Sequence, residues 1–158
     1  MKLHLLLRAV EEADLPIFFA HQLDPEATRM AAFPSRDREA FFTHWRTNIL
    51  GNPAVVSRTI LVGTEVMGNM GAWTDAESGE RCIGYWLGRE FWGRGIASAA
   101  LRQFLQLEST RPLNARVVKH NLGSIRVLEK AGFVRVGEDA FPMSGEDRME
   151  EWVYLLAV

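Results

Sequence analysis

The chain has 158 residues, a formal net charge of −2 and a hydrophobic content of 47%, an ordinary balance for one globular domain spanning residues 1–158. A negative net charge argues against nucleic-acid binding, because that function needs a basic face to neutralise phosphates. The only cysteine, Cys82, cannot form an internal disulfide, and no Cys/His cluster has zinc spacing. No window approaches the roughly 18 apolar residues of a membrane span, so we expect a cytoplasmic protein without metal or membrane association.

The first half of the chain predicts a strand, two helices and a loop between the helices. Residues 3–8 are apolar, and Asp14 caps a predicted helix over 14–22. The segment Leu23–Pro34 contains two prolines and is predicted as a long loop. Residues 36–50 carry aromatic and aliphatic side chains at helical spacing, which predicts a second helix.

The second half predicts a three-stranded antiparallel meander, then helix, strand, helix and two closing strands. This order favours a mixed α/β (α+β) sheet over a doubly wound one. The predicted strands are 54–62, 65–74, 80–88, 114–119, 132–138 and 148–157, and the predicted helices are 95–109 and 121–131.

One glycine-rich stretch links a predicted strand to a predicted helix. The strand contains Tyr85, Trp86 and Leu87, and the loop that follows reads Phe-Trp-Gly-Arg-Gly-Ile-Ala-Ser over 91–98. The first amides of a helix have no intrahelical acceptor and lie at the positive end of its dipole, so they suit a pyrophosphate. A plain strand–turn–helix is the alternative. A dinucleotide-binding loop is less favoured, because Ser98 stands where that motif has its third glycine.

A second stretch follows the glycine loop in the sequence. It reads Asn-Leu-Gly-Ser over 121–124 and Val-Leu-Glu-Lys-Ala-Gly-Phe over 127–133. Together, the two stretches resemble the motifs of the GNAT superfamily of acetyltransferases, in particular those of the RimJ/RimL-like branch that acetylates ribosomal-protein N-termini. Trp92 departs from the Gln or Arg that begins the superfamily's pyrophosphate loop, but a Trp there is usual in that branch.

The resemblance implies the GNAT acyl-CoA N-acyltransferase fold, with a central, mostly antiparallel sheet splayed in the middle and flanked by about four helices. It also implies acetyl-CoA as the co-substrate, with pantetheine lying in the wedge between the splayed strands. Asn121 would bind the pantetheine arm, and Ser124 would lie near the thioester sulfur. The residues implied in binding acetyl-CoA are Tyr85, Trp86, Leu87, Trp92, Gly93, Arg94, Gly95, Ile96, Ala97, Ser98, Asn121 and Ser124.

The implied chemistry is direct attack of a primary amine on the thioester. Many members protonate the leaving thiolate with a Tyr four residues after the motif serine, but this chain has Leu128 there, so Ser124 is the expected substitute. We expect Glu80 to be the general base, with Glu65 and Glu150 as further candidates. The oxyanion donor is expected at the kink Gly68–Gly71.

The amine acceptor is left open between a protein N-terminus and a small molecule, and homodimerisation is also left open. The variable segments Leu23–Phe33 and Ala140–Asp147 are expected to form the acceptor pocket. Two other functions compete with acetyl transfer: a non-catalytic module that binds acetyl-CoA, and a nucleotide-binding α/β domain that uses the same loop.

Overall fold

The computed structural model describes residues 4–142 and 148–158. Its strands form one seven-stranded sheet in the order β1-β2-β3-β4-β5-β7-β6. All neighbouring pairs are antiparallel except β4 and β5, which run parallel. The strands are β1 (Leu5–Ala9), β2 (Val56–Val62), β3 (Glu65–Thr74), β4 (Arg81–Leu87), β5 (Leu113–Val118), β6 (Val134–Pro142) and β7 (Arg148–Leu156).

Five α-helices in the described part of the chain flank the sheet, one more than expected. They are α1 (Leu15–Leu23), α2 (Pro25–Ala31), α3 (Arg38–His44), α4 (Ile96–Leu107) and α5 (Leu122–Lys130). A π-helical turn over Trp45–Leu50 continues α3, so the predicted helix over 36–50 is confirmed in position.

Helix α2 corrects the predicted loop over 23–34. The carboxylate of Asp24 accepts hydrogen bonds from the amides of Glu26 and Ala27, at 2.9 and 3.1 Å, and so caps the helix. Pro25 occupies the first helical position, where its missing N–H costs nothing. Both features are local, and proline here starts a helix rather than breaking one.

Two hydrophobic cores cover the two faces of the sheet. On one face α4 and α5 pack against the central strands, with Leu101, Phe104 and Tyr154 fully buried. On the other face α1 and α3 enclose an aromatic cluster in which the rings of Phe18 and Trp45 lie 5.1 Å apart. The two cores make the sheet a rigid layer between helices, as mixed α/β folds require.

The sheet opens between β4 and β5. Along the described residues of these strands, pairing is limited to Arg81 with Leu113 and Cys82 with Asn114. The remaining five residues of β4, from Ile83 to Leu87, therefore present their outer edge to a wedge rather than to β5. This is the splayed central sheet that the resemblance implied.

None of the helices in the described part of the chain is both long and apolar enough to cross a bilayer.

Candidate active site

A cavity of about 330 Å³ lies at the mouth of this wedge. Its walls come from four places: the end of β4, the glycine loop with the start of α4, the start of α5, and one face of α2. Eleven of the twelve residues expected to bind acetyl-CoA line it: Tyr85, Trp86, Leu87, Trp92, Gly93, Gly95, Ile96, Ala97, Ser98, Asn121 and Ser124.

The glycine loop presents backbone amides to the cavity. Gly93 and Gly95 both adopt φ of +75°, a left-handed conformation that glycine reaches without strain, and a Cβ at either position would meet open space. Gly95 is the N-cap of α4 and supplies no side chain to cap it. The first amides of α4 have no intrahelical acceptor, lie at the positive end of the helix dipole, and belong to residues that line the cavity.

The two larger side chains of the loop, Trp92 and Arg94, differ in what they contact. The indole N–H of Trp92 donates to the carbonyl oxygen of Leu87 at 3.2 Å, which ties the loop to the end of β4. Arg94, the twelfth expected residue, is exposed, does not line the cavity, and holds its guanidinium 5.8 Å from the centre of the Phe91 ring. The loop thus offers mainly amide donors, and Arg94 contributes charge only at a distance.

His21 lies beneath this loop. A Cβ on Gly88 would lie 2.8 Å from the His21 Nε2 atom, so the backbone and the imidazole are in close contact. The ring also meets Phe91 edge-on at 6.4 Å. Burial lowers the pKa of His21, and the nearby Glu90 carboxylate opposes this only in part. A neutral imidazole therefore supports the start of the glycine loop.

The start of α5 brings two predicted residues together. Asn121 is the N-cap, and its Oδ1 accepts from the amide of Ser124 at 3.2 Å. The hydroxyl groups of Ser124 and Tyr85 lie 2.7 Å apart, which joins α5 to β4 across the wedge. Burial raises the pKa of Tyr85, and its hydrogen bond to Ser124 offsets this only in part, so the phenol is protonated at neutral pH.

Leu128 occupies the position at which the resemblance implies a tyrosine in many family members. Its side chain is 4% exposed and belongs to the core between α4, α5 and the sheet. It faces the hydrophobic interior and carries no group that could donate a proton.

Helix α2 covers the cavity and lies within the segment Leu23–Phe33, which was expected to form the acceptor pocket as a loop. It contributes Ala27, Met30 and Ala31 to the lining. Its first residues are held by an ion pair between Asp24 and Arg89 at 3.4 Å. The last turn is held by His120, whose Nε2 lies 2.9 Å from the carbonyl oxygen of Arg29 and 3.1 Å from that of Met30.

Other lining residues that the motifs did not single out come from the same elements. They are Phe91, Gly123, Arg126 and Val127. Arg126 adds a positive charge at the rim of the cavity. Its place in the site could have been predicted from the sequence, because it lies two residues after the motif serine on the first turns of α5.

The structure does not bring the expected carboxylates to this cavity. Glu80 is exposed in the turn before β4, and six residues of extended chain separate it from Trp86, a distance of roughly 20 Å. Glu65 is exposed at the start of β3, and Glu150 is paired with Lys119 at 3.1 Å on β7. The structure thus gives no geometric support to any of the three as the general base.

Two further expectations concern the oxyanion donor and the acceptor loop. Gly68–Gly71 lies within β3, which pairs with β2 on one side and β4 on the other, so its amides do not face the wedge. Ala140–Pro142 belongs to β6, and the rest of the expected acceptor loop, with Glu146 and Asp147, lies outside the described residues. Cys82 does not have the character of a nucleophile, because burial raises the pKa of its thiol.

Comparison with known proteins places the chain in a family. Residues 4–134 match the model of the acetyltransferase (GNAT) domain. The chain is 30% identical over 143 residues to the Uncharacterized N-acetyltransferase p20 of Bacillus licheniformis, covering 84% of this chain and 80% of that one. The protein therefore belongs to the GNAT acetyltransferase family, and it is an acyltransferase of the N-acetyltransferase type.

Solved structures agree on the fold. Spermidine N-acetyltransferase from Vibrio cholerae, in complex with CoA and spermine, superposes with a TM-score of 0.79 at 15% identity, covering 95% of this chain and 94% of that one. An aminoglycoside acetyltransferase in complex with coenzyme A superposes with a TM-score of 0.75 at 18% identity, covering 94% and 93%. At such identities the likeness shows the shared GNAT fold alone.

Proposed function

We propose that this chain, acting as one catalytic domain, transfers the acetyl group of acetyl-CoA to a primary amine by direct attack in a ternary complex. One observation carries the proposal. The uncapped N-terminus of α4 and the unpaired edge of β4 open into the same cavity. The first feature suits a diphosphate, and the second suits the amide groups of an extended pantetheine arm.

The donors in the cavity fit acetyl-CoA. The amides from Gly93 to Ala97 suit the pyrophosphate, and the edge of β4 at Tyr85–Leu87 suits pantetheine. The indole N–H of Trp86 is buried and has no hydrogen-bond partner among the described residues, so it is a donor that a bound amide or carbonyl would satisfy. The CoA complexes of two proteins of the same fold support this choice of co-substrate.

Ser124 is the residue proposed to stabilise the leaving thiolate. Its hydroxyl lines the cavity, while Leu128, at the usual position of the acid, is in the core. The attacking amine loses its proton to water rather than to Glu80, because Glu80 lies at the far end of β4. We propose no protein carboxylate as the base.

We propose the amine acceptor only as a broad class. The chain's second motif favours the RimJ/RimL-like branch, whose acceptors are protein N-termini. The spermidine and aminoglycoside acetyltransferases that share the fold act on small amines. We therefore propose a primary amine of either kind.

Release of free thiol from acetyl-CoA tests the proposal. Acceptors for the assay are spermidine, kanamycin and short peptides with free N-termini. We expect at least one of them to accelerate thiol release by wild type, and we expect Ser124→Ala to lower kcat by about a hundredfold, the size of losing one hydrogen-bond donor to a developing negative charge. The affinity for acetyl-CoA should change little, because the contact strengthens as the thiolate forms.

Two results would contradict the proposal. Binding of acetyl-CoA without thiol release for any acceptor would favour the non-catalytic module. Equal losses in kcat and acetyl-CoA affinity for Ser124→Ala would make Ser124 a binding residue only.

A further inference from the structure

We propose that Tyr85 is a positioning residue for acetyl transfer: its hydroxyl orients the hydroxyl of Ser124 toward the departing sulfur of CoA. The inference deepens the proposed function and rests on it. It assigns the side chain of Tyr85 a role, where the sequence motif implied only a backbone contact.

The geometry comes from two elements that meet only in the folded chain. Tyr85 lies on β4 and Ser124 on the first turn of α5, 39 residues apart in sequence, yet their oxygens lie 2.7 Å apart. Both side chains line the same cavity. The hydrogen bond therefore joins the strand edge proposed for pantetheine to the serine proposed to stabilise the thiolate.

Either hydroxyl can donate in this pair, and the proposal takes the phenol of Tyr85 as the donor. The phenol is protonated and partly buried, so its O–H needs an acceptor. Ser124 Oγ is within reach, and a serine hydroxyl that accepts one hydrogen bond keeps its own proton for another. With the phenol as donor, the Ser124 proton is free to turn into the cavity.

The backbone of Ser124 is fixed as well. Its amide donates to Asn121 Oδ1 at 3.2 Å, so the residue is held both at the main chain and at the hydroxyl. Two fixed points leave the hydroxyl proton little freedom, and such pre-organisation is what a donor to a developing charge needs.

The transfer step balances without further reagents. The lone pair of the neutral amine forms the N–C bond, and the C–S bond breaks with its electron pair remaining on sulfur. The sulfur accepts a hydrogen bond from Ser124 as its charge develops. The nitrogen then loses one proton to water and the sulfur gains one from water, which leaves an amide and a thiol. Tyr85 keeps its proton throughout and acts through Ser124.

The test compares the chain's only two tyrosines. Tyr85→Phe removes one hydroxyl from the cavity. Tyr154→Phe is the matched control, because the Tyr154 hydroxyl bonds Arg135 and Glu129, the latter at the opposite end of α5 from Ser124, and does not line the cavity. We expect Tyr85→Phe to lower kcat about tenfold with unchanged acetyl-CoA affinity, the effect of losing one hydrogen bond. Tyr154→Phe should keep the wild-type kcat.

The double variant separates positioning from packing. If Tyr85 acts through Ser124, Tyr85→Phe with Ser124→Ala should be no slower than Ser124→Ala alone. The inference is overturned if Tyr85→Phe retains the wild-type kcat, if it loses acetyl-CoA affinity as strongly as kcat, or if the two effects multiply. In each of these cases wild type still acetylates its acceptor, so the proposed function stands. A wild type that acetylates none of the acceptors overturns the proposed function itself.

Discussion

At the scale of single residues, His21 is a half-buried histidine whose ring lies against the loop before α4. Its imidazole contacts Gly88 and Phe91, and its Nδ1 is buried with no partner among the described residues. Burial lowers the pKa of His21 in the folded state. A lowered pKa means that the folded state favours the neutral ring, and protonation of the unfolded chain then opposes folding at low pH.

The sign of the effect gives a prediction. The contribution of His21 to stability is fully present above the unfolded pKa of roughly 6.5 and is lost as pH falls below it. We expect the free energy of unfolding, measured with urea, to decrease between pH 7.5 and pH 5, with a slope from this group of at most about 1.4 kcal/mol per pH unit. His21→Gln, which does not titrate, should flatten the profile.

A matched control is His4→Gln, which changes an exposed histidine ahead of β1. It should keep the slope of wild type. A His21→Gln profile as steep as that of wild type would show that another group causes the decrease.

The residues of the site were predictable where backbone chemistry dictates them. Gly93 and Gly95 were predicted to let the backbone approach a diphosphate, and both adopt a left-handed conformation that glycine reaches without strain. The contact with a diphosphate stays a prediction. The partnership of Tyr85 and Ser124 could not be predicted, because it depends on how β4 and α5 face each other across the wedge. Glu80 was expected on strand periodicity, which gives the face of a strand but not its distance from a ligand.

At the scale of elements, α2 decides the shape of the cavity. Its residues Ala27 and Ala31, one helical turn apart, line the cavity with the smallest side chains that a helix favours. An ion pair with Arg89 at its start and a hydrogen bond with His120 at its end hold the helix over the wedge. A larger side chain on this face should therefore fill the space meant for the ligand.

Ala31→Leu tests the role of α2. Ala31 is half-buried, and leucine is a good helix former, so the free energy of unfolding should change by no more than about 0.5 kcal/mol. We expect acetyl-CoA affinity, measured by calorimetry, to fall about tenfold, because the added carbons occupy the cavity. Ala40→Leu, on the exposed face of α3, is the matched control and should bind normally. Normal binding by Ala31→Leu would remove α2 from the site.

The prediction of α2 as a loop shows where element assignment fails. Two prolines within twelve residues suggested a break, although Asp24 and Pro25 form a helix start when considered together. Strand β3, by contrast, was predicted at its observed bounds of 65–74, because turn signals at Gly63-Thr64 and Asp75–Gly79 delimit it.

At the scale of the whole molecule, the order of elements predicted a mixed sheet and the structure confirms it. The opening between β4 and β5 follows from no local pattern, since both strands have ordinary strand sequences. It was expected only through the family resemblance. The wedge depends on long-range pairing, in which β5 joins β7 along its length and β4 joins β3, so that the two halves of the sheet share just two residue pairs.

The central claim is that the start of α4, beside this wedge, binds the diphosphate of acetyl-CoA. Calorimetric titration of three proteins with acetyl-CoA tests it most directly: wild type, Gly95→Asp and Gly95→Asn. The two variants place side chains of equal size at the same left-handed position, so they differ in charge alone. Gly79→Asp, at φ of +74° in the exposed turn before β4, is the control for backbone strain.

We expect wild type and Gly79→Asp to bind acetyl-CoA with the same affinity and Gly95→Asn to bind slightly more weakly. Gly95→Asp should bind at least about tenfold more weakly than Gly95→Asn, because like charges a few ångströms apart repel by about 1 kcal/mol or more even in water. Equal affinities for folded Gly95→Asp and Gly95→Asn, or tighter binding of ATP or NAD than of acetyl-CoA by wild type, would contradict the account.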